Sequence, residues 1–240
     1  MPAKDIYDPA YVKDVFDRCS DSYIAFSYVC SMGFTERWRR QCVALLDLPA
    51  DARQGFDIMA GTGEVWPHLF DAYPGIDTVT AVDISEGMHR RARARMQDLA
   101  DEKVSFICDD VLQSGLPDNS ADFIVSTFGL KTFNRSQHAK LADLVARVLK
   151  PGGKFAFIEA SDPYGWPLRP LYLFHLKKVL PLVERTLLRG AQDFAMIGQY
   201  STNFGDASDF ADQLRARNLD VTFRKHFYGC ATSASGSKRR

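Results

Sequence analysis

From residue 56 onward, short apolar runs alternate with amphipathic segments, and few folds can absorb that rhythm. The runs are Phe56 to Ala60, Val79 to Val82, Val104 to Cys108, Phe123 to Thr127 and Phe155 to Ile158. Between them, Glu64 to Tyr73, Ser85 to Leu99 and Ser136 to Leu149 each carry apolar residues on one helical face. A parallel sheet with helices on both sides satisfies this pattern, because each strand must return across a face to reach its neighbour. Ligands in such sheets sit at the carboxyl ends of the strands, beside the point where strand order reverses.

The first run breaks into a glycine turn, Asp57-Ile58-Met59-Ala60-Gly61-Thr62-Gly63-Glu64-Val65-Trp66. Glycines allow a tight turn and a close approach of backbone to ligand, and a helix starting near Gly63 would aim its free N–H groups there. Asp83 ends the second run, 22 positions beyond Gly61, where a carboxylate can accept from both hydroxyls of a ribose. Capping the next helix is the competing role for Asp83, but Ser85 can supply that cap. Asp109-Asp110-Val111 ends the third run; a carboxylate there can accept from an adenine amine while Val111 meets the base. The third glycine of a dinucleotide fingerprint is replaced by Trp66, which disfavours a diphosphate ligand and hence a nicotinamide oxidoreductase.

Ahead of this region, residues 11–47 read as helices with a polar break at Ser20-Asp21-Ser22-Tyr23. We expect residues 1–50 to form an N-terminal helical segment closing the site, and residues 51–240 to form the main domain. Lys150-Pro151-Gly152-Gly153 stops a helix and feeds the fifth strand. Residues 161–205 then leave the alternation, with four prolines and many large apolar side chains, and read as an inserted helical cap. Ser208 to Arg217 reads as a helix and Val221 to Phe227 as a late strand. The tail, Ala231 to Arg240, is small and polar and reads mostly as a frayed, solvated terminus.

Lys+Arg and Asp+Glu balance at 30 each, so the global charge gives no reason to expect nucleic acid as a partner. Five scattered cysteines without a Cys-x-x-Cys pair suggest neither a disulfide framework nor a metal site. The N-terminus has no signal-like apolar stretch and no run reaches membrane-spanning length, so a cytoplasmic protein is expected.

The turn Asp57 to Glu64 resembles the first motif of class I S-adenosylmethionine-dependent methyltransferases. More narrowly, the chain resembles the C-methyltransferases of menaquinone and ubiquinone biosynthesis, through Tyr11 to Arg18, Trp38-Arg39-Arg40, Leu116 to Asp122, Phe128-Gly129-Leu130, Val148 to Gly153 and Val179 to Leu182. The resemblance implies an α/β, Rossmann-like doubly wound sheet with N-terminal helices and a helical cap after the fifth strand. It implies S-adenosyl-L-methionine as cofactor, held by Asp57, Gly61, Thr62, Gly63, Asp83, Asp110, Val111 and Thr127. The implied reaction is methylation of a small apolar or aromatic acceptor, with C-methylation of a quinol-type ring favoured. O- or N-methylation of another metabolite, or cofactor binding without methyl transfer, are the alternatives.

Where relatives have Phe-Gly-Leu-Arg-Asn, this chain has Phe128-Gly129-Leu130-Lys131-Thr132. Lys131 keeps the charge without the planar fork of arginine, so it either stabilises a phenolate or is a solvated loop lysine. Tyr200, in the cap, is the second candidate for proton transfer, against a packing role. His175 reads as a packed histidine. The cap's apolar density suits a prenylated acceptor reached from a membrane surface, with Lys177-Lys178 beside it, or burial against the core or a second copy of the chain in a homodimer.

Overall fold

The computed structural model describes residues 5–96, 102–179 and 194–240. Three helices come first: α1 (Pro9–Cys19), α2 (Tyr23–Cys30) and α3 (Phe34–Ala44). Asp8 caps α1 by accepting from the Tyr11 N–H, and Pro9 opens it, where a missing N–H costs nothing. The alternating region follows as β1 (Gln54–Ile58), α4 (Trp66–Ala72), β2 (Thr78–Asp83), α5 (Glu86–Arg95), β3 (Val104–Cys108), β4 (Ala121–Thr127), α6 (Arg135–Val148) and β5 (Leu149–Ala160). Then come α7 (Arg169–Phe174), α8 (Phe194–Phe204), α9 (Ser208–Arg215), β6 (Leu219–His226) and β7 (Ala231–Lys238).

The seven strands form one sheet in the order β3-β2-β1-β4-β5-β7-β6. The first five are parallel, and β7 runs antiparallel to both β5 and β6. Strand order therefore reverses between β1 and β4, which pair through Gly55 with Phe123 to Asp57 with Val125. Two apolar layers flank the sheet. One gathers Ile58, Ile124, Phe155, Phe157, Leu141 and Phe210, and the other Trp38, Trp66, Leu69, Val79, Phe123 and Ile158. This is the Rossmann-like fold of class I methyltransferases.

Element boundaries follow local chemistry. Ser85 accepts from the Met88 N–H and so caps α5, leaving Asp83 for other work. Asn134 and Gln137 exchange hydrogen bonds as a capping box at the start of α6. Lys150 to Gly153 ends α6, and a register shift there lets β5 run from Leu149 to Ala160.

The tail corrects the sequence expectation. Instead of fraying, Ala231 to Lys238 fills the slot between β5 and β6, and Ala231 to Ser235 are buried. Its small side chains fit against the phenylalanines of β5, and its hydroxyls find partners: Thr232 Oγ1 lies 2.6 Å from Ser161 Oγ and accepts from the Ala207 N–H at 2.9 Å. A polar composition thus disguised a buried strand.

Of the cap, α7, the π-helical turn His175–Val179 and α8 are described. The stretch 180–193, including Leu180, Pro181, Leu182 and Val183, lies outside the described residues, as does the expected extension of α5 to Leu99. Among the described residues no helix is long and apolar enough to cross a membrane.

Candidate active site

At the carboxyl ends of β1, β2, β3 and β4, where strand order reverses, a recess opens. One wall is polar and comes from the strand ends: Gly61, Thr62, Asp83, Asp109 and Asp110. Aromatic and apolar side chains come largely from the N-terminal segment: Tyr7, Pro9, Val12, Phe16 and Tyr23, joined by Phe128 and Phe133. Met59, Met88, Val111 and Thr127 also line the recess, as do Arg39 and Glu64.

Asp83 organises the polar wall. Its Oδ2 accepts from the Gly61 N–H at 2.7 Å and its Oδ1 from the Ser85 N–H at 2.8 Å. Each carboxylate oxygen keeps a second lone pair for a ligand. Desolvation pushes the Asp83 carboxyl up to about 6, the two backbone donors opposing that rise. Asp110 turns its own loop, accepting from the Leu112 N–H at 3.0 Å and from the Gln113 amide at 3.1 Å.

Two non-glycine residues of the lining, Met59 (φ 57°) and Phe128 (φ 66°), adopt left-handed backbone conformations at the ends of β1 and β4. Such conformations cost energy and persist where surrounding structure over-determines them, often at functional sites. Lys131 explains the second: its Nζ donates to Glu159 Oε1 at 2.8 Å and to the Phe128 carbonyl at 2.7 Å, and its N–H donates to Glu159 Oε2 at 3.1 Å. Lys131 and Glu159 are both buried, behind the loop that carries Phe128.

A family model of the ubiE/COQ5 methyltransferases matches residues 4–238. The chain belongs to that family. Its curated relatives include the demethylmenaquinone methyltransferases of Bacillus cereus and Bacillus anthracis, each 24% identical over 228 residues and covering 95% of both chains. Among solved structures, Haemonchus contortus phosphoethanolamine N-methyltransferase 2 superposes with a TM-score of 0.68 at 14% identity, covering 100% of this chain and 62% of that one. A chain of the complex between the Haloferax volcanii Trm112 methyltransferase activator and a methyltransferase gives 0.63 at 18% identity, covering 94% and 98%. Both likenesses concern the fold.

As a ubiE/COQ5 family member the chain is an S-adenosylmethionine-dependent methyltransferase, and the recess fits that cofactor in kind. Acidic acceptors at Asp83 and Asp110 suit ribose hydroxyls and an adenine amine, and Val111 suits the base.

Of the residues singled out from sequence, Gly61, Thr62, Asp83, Asp110, Val111 and Thr127 come together in this recess. Asp57 and Gly63 lie behind it. The Asp57 carboxylate accepts from the Trp66 indole N–H at 2.8 Å, and burial pushes it up to about 8. Gly63 (φ +70°) leaves room for the Trp66 ring, which a Cβ would meet at 2.4 Å. Trp66 thus closes the turn from behind.

Neither candidate for proton transfer faces the recess. Lys131 is engaged by Glu159, so the solvated-loop alternative is corrected as well: the lysine is a buried brace. Tyr200 is fully buried; its hydroxyl donates to the Ile6 carbonyl, its ring packs 5.8 Å from that of Tyr7, and burial raises its pKa. It clamps the N-terminal strap that brings Tyr7 to the recess, helped by Gln137, whose amide donates to the Tyr7 carbonyl at 3.0 Å.

Sequence reasoning missed Arg39 and Glu64. Arg39 Nη2 donates to Glu64 Oε2 at 2.6 Å at the edge of the recess. The signal was present in the Trp38-Arg39-Arg40 motif, but two adjacent arginines on a helix do not reveal which one faces inward.

Proposed function

We propose that this methyltransferase transfers its methyl group to a ring carbon of a small aromatic acceptor of the quinol type. The observation that carries the reading is the mixed lining of the recess, which combines the acidic Asp83 and Asp110 with the rings of Tyr7, Phe16, Tyr23, Phe128 and Phe133. Flat apolar rings stack and pack against such side chains, whereas an anionic or strongly hydrated acceptor gains little from them. The names of the demethylmenaquinone methyltransferase relatives support the same acceptor class.

S-adenosylmethionine supplies an already activated sulfonium methyl. The protein's contribution is therefore chiefly alignment and exclusion of water, which in favourable cases lowers a barrier by several kcal/mol. The residues proposed to hold the cofactor are Thr62, Asp83, Asp110, Val111 and Thr127, with Gly61 turning the backbone beside it. The N-terminal segment, through Tyr7, Val12, Phe16 and Tyr23, is proposed to close over the acceptor. The apolar side chains exposed on α7, Leu171 and Phe174, suit a prenylated acceptor arriving from a membrane surface.

The test is incubation with labelled S-adenosylmethionine and a panel of reduced naphthoquinols, benzoquinols, catechols and amines, with products resolved by mass spectrometry and NMR. A new carbon–methyl bond on a quinol ring is expected. Turnover confined to oxygen or nitrogen acceptors would overturn the reading.

A further inference from the structure

The buried ion pair at the edge of the recess is incompletely satisfied in a way that suggests its ligand. Arg39 and Glu64 side chains are only 4% and 12% exposed, and they meet through Arg39 Nη2 and Glu64 Oε2. Glu64 Oε2 also accepts from Thr62 Oγ1 at 3.3 Å. Arg39 Nε is buried with no hydrogen-bond partner among the described residues, and no partner is found there for Glu64 Oε1. The guanidinium carbon lies 5.2 Å from the centre of the Phe128 ring, a cation–π contact. A buried donor without a partner costs free energy and calls for an explanation. Here one donor and one acceptor are left open on adjoining charged groups, both lining the recess.

We propose that Arg39 and Glu64 together receive the zwitterionic amino-acid end of the methyl donor, Arg39 taking the α-carboxylate and Glu64 the α-ammonium. The inference rests on the recess holding S-adenosylmethionine. Placement follows from chain connectivity. Asp83 at the nucleoside wall is bonded directly to Gly61, and Thr62 and Glu64 follow at once on the same turn. The amino-acid chain on the donor's sulfur is short, so its charges end close to that turn. An ion pair also complements a zwitterion better than it complements an acceptor phenolate, which Glu64 would repel. Arg95 props the turn from the other side by donating to the Thr62 carbonyl at 3.2 Å.

The test is calorimetric titration of the full chain with S-adenosylhomocysteine, its decarboxylated analogue and 5′-methylthioadenosine, which lacks the amino-acid end. For the unmodified protein, S-adenosylhomocysteine is expected to bind tighter than either truncated ligand by roughly tenfold or more. Arg39→Gln is expected to lower its affinity by about 10–100-fold while 5′-methylthioadenosine changes by less than about threefold, and Arg39→Lys is expected to recover part of the loss. Glu64→Gln should produce the same split between the two ligands. Parallel loss of both ligands would mean that the pair only props the loop, and would overturn the proposal. Should the variants fail to fold, equal affinity of the unmodified protein for S-adenosylhomocysteine and its decarboxylated analogue would overturn it. Absence of binding by any of the three would overturn the cofactor reading itself.

Discussion

The indole N–H of Trp66 donates to Asp57 Oδ2 at 2.8 Å, tying the first turn of α4 to the end of β1 across the glycine turn. The other carboxyl oxygen, Oδ1, is buried with no hydrogen-bond partner among the described residues. Burial, which the indole donor offsets in part, pushes the Asp57 carboxyl up to about 8. A raised carboxylate makes stability fall as pH rises, because between about pH 4 and 8 the unfolded chain releases the proton that the folded chain retains. Asp57→Asn keeps an acceptor for the indole and is expected to flatten that slope. Chemical denaturation at pH 5 and pH 8 checks this: the variant should gain on the wild type by at least about 1 kcal/mol more at pH 8 than at pH 5. Trp66→Phe removes the donor and should destabilise by about 1–3 kcal/mol.

Asp83 makes a different pH prediction. Its carboxyl sits at about 6, raised chiefly by desolvation, and the carboxylate form accepts a ribose hydroxyl better than the acid. Affinity for S-adenosylhomocysteine is therefore expected to be full above pH 7 and to fall as pH drops through 6. Asp83→Ala should weaken binding by about 2 kcal/mol, roughly thirtyfold, and remove that pH dependence. Calorimetry between pH 5 and 8 measures both. A pH-independent affinity in the wild type would exclude a charged ribose contact at this residue.

Lys131 and Glu159 form a buried pair, and breaking such a pair costs far more than replacing it. Lys131→Met leaves the Phe128 carbonyl without its ammonium donor and the buried Glu159 carboxylate without its counter-charge, with only the backbone N–H groups of residues 131 and 160 still donating to it, and the expected loss is about 3–5 kcal/mol in unfolding free energy. Adding Glu159→Leu should recover much of it. If Lys131 instead touched the acceptor, Lys131→Met would cut turnover with little change in stability, and the second substitution would restore nothing.

The alternation after residue 56 was enough to read the five parallel strands and the helices between them, because strands covered on both faces read as short apolar runs, whereas the helices that cover them are apolar on one face only. The positions of Gly61, Asp83, Asp110 and Val111 around the recess were legible for a related reason: residues that follow the carboxyl ends of parallel strands border the crevice at the switch point. Lys131 and Tyr200 were harder to place. A motif gives their position along the chain, but only the buried Glu159 and the Ile6 carbonyl show where their polar ends go. Arg39 was hidden for the same reason, its inward direction being set by Glu64, 25 residues away.

The strand β7 was concealed by composition, and one of its residues tests why it fits. At Gly236 a Cβ would lie 1.7 Å from the Asp220 carbonyl oxygen on β6 and 3.1 Å from the Phe155 ring on β5. The backbones of β6 and β7 approach so closely there that no side chain can intervene. Gly236→Ala must push β6 away or break the pairing of Val221 with Gly236, and backbone does not yield as a flexible side chain would. The expected cost is about 1–3 kcal/mol, comparable to overpacking a core. Ser237→Ala, one position along on the partly exposed end of the strand, should cost less than about 0.5 kcal/mol. Denaturant unfolding of the two variants side by side separates the explanations. If the segment were a solvated tail, both substitutions would be silent; a loss at Gly236 alone identifies β7 as an interior strand.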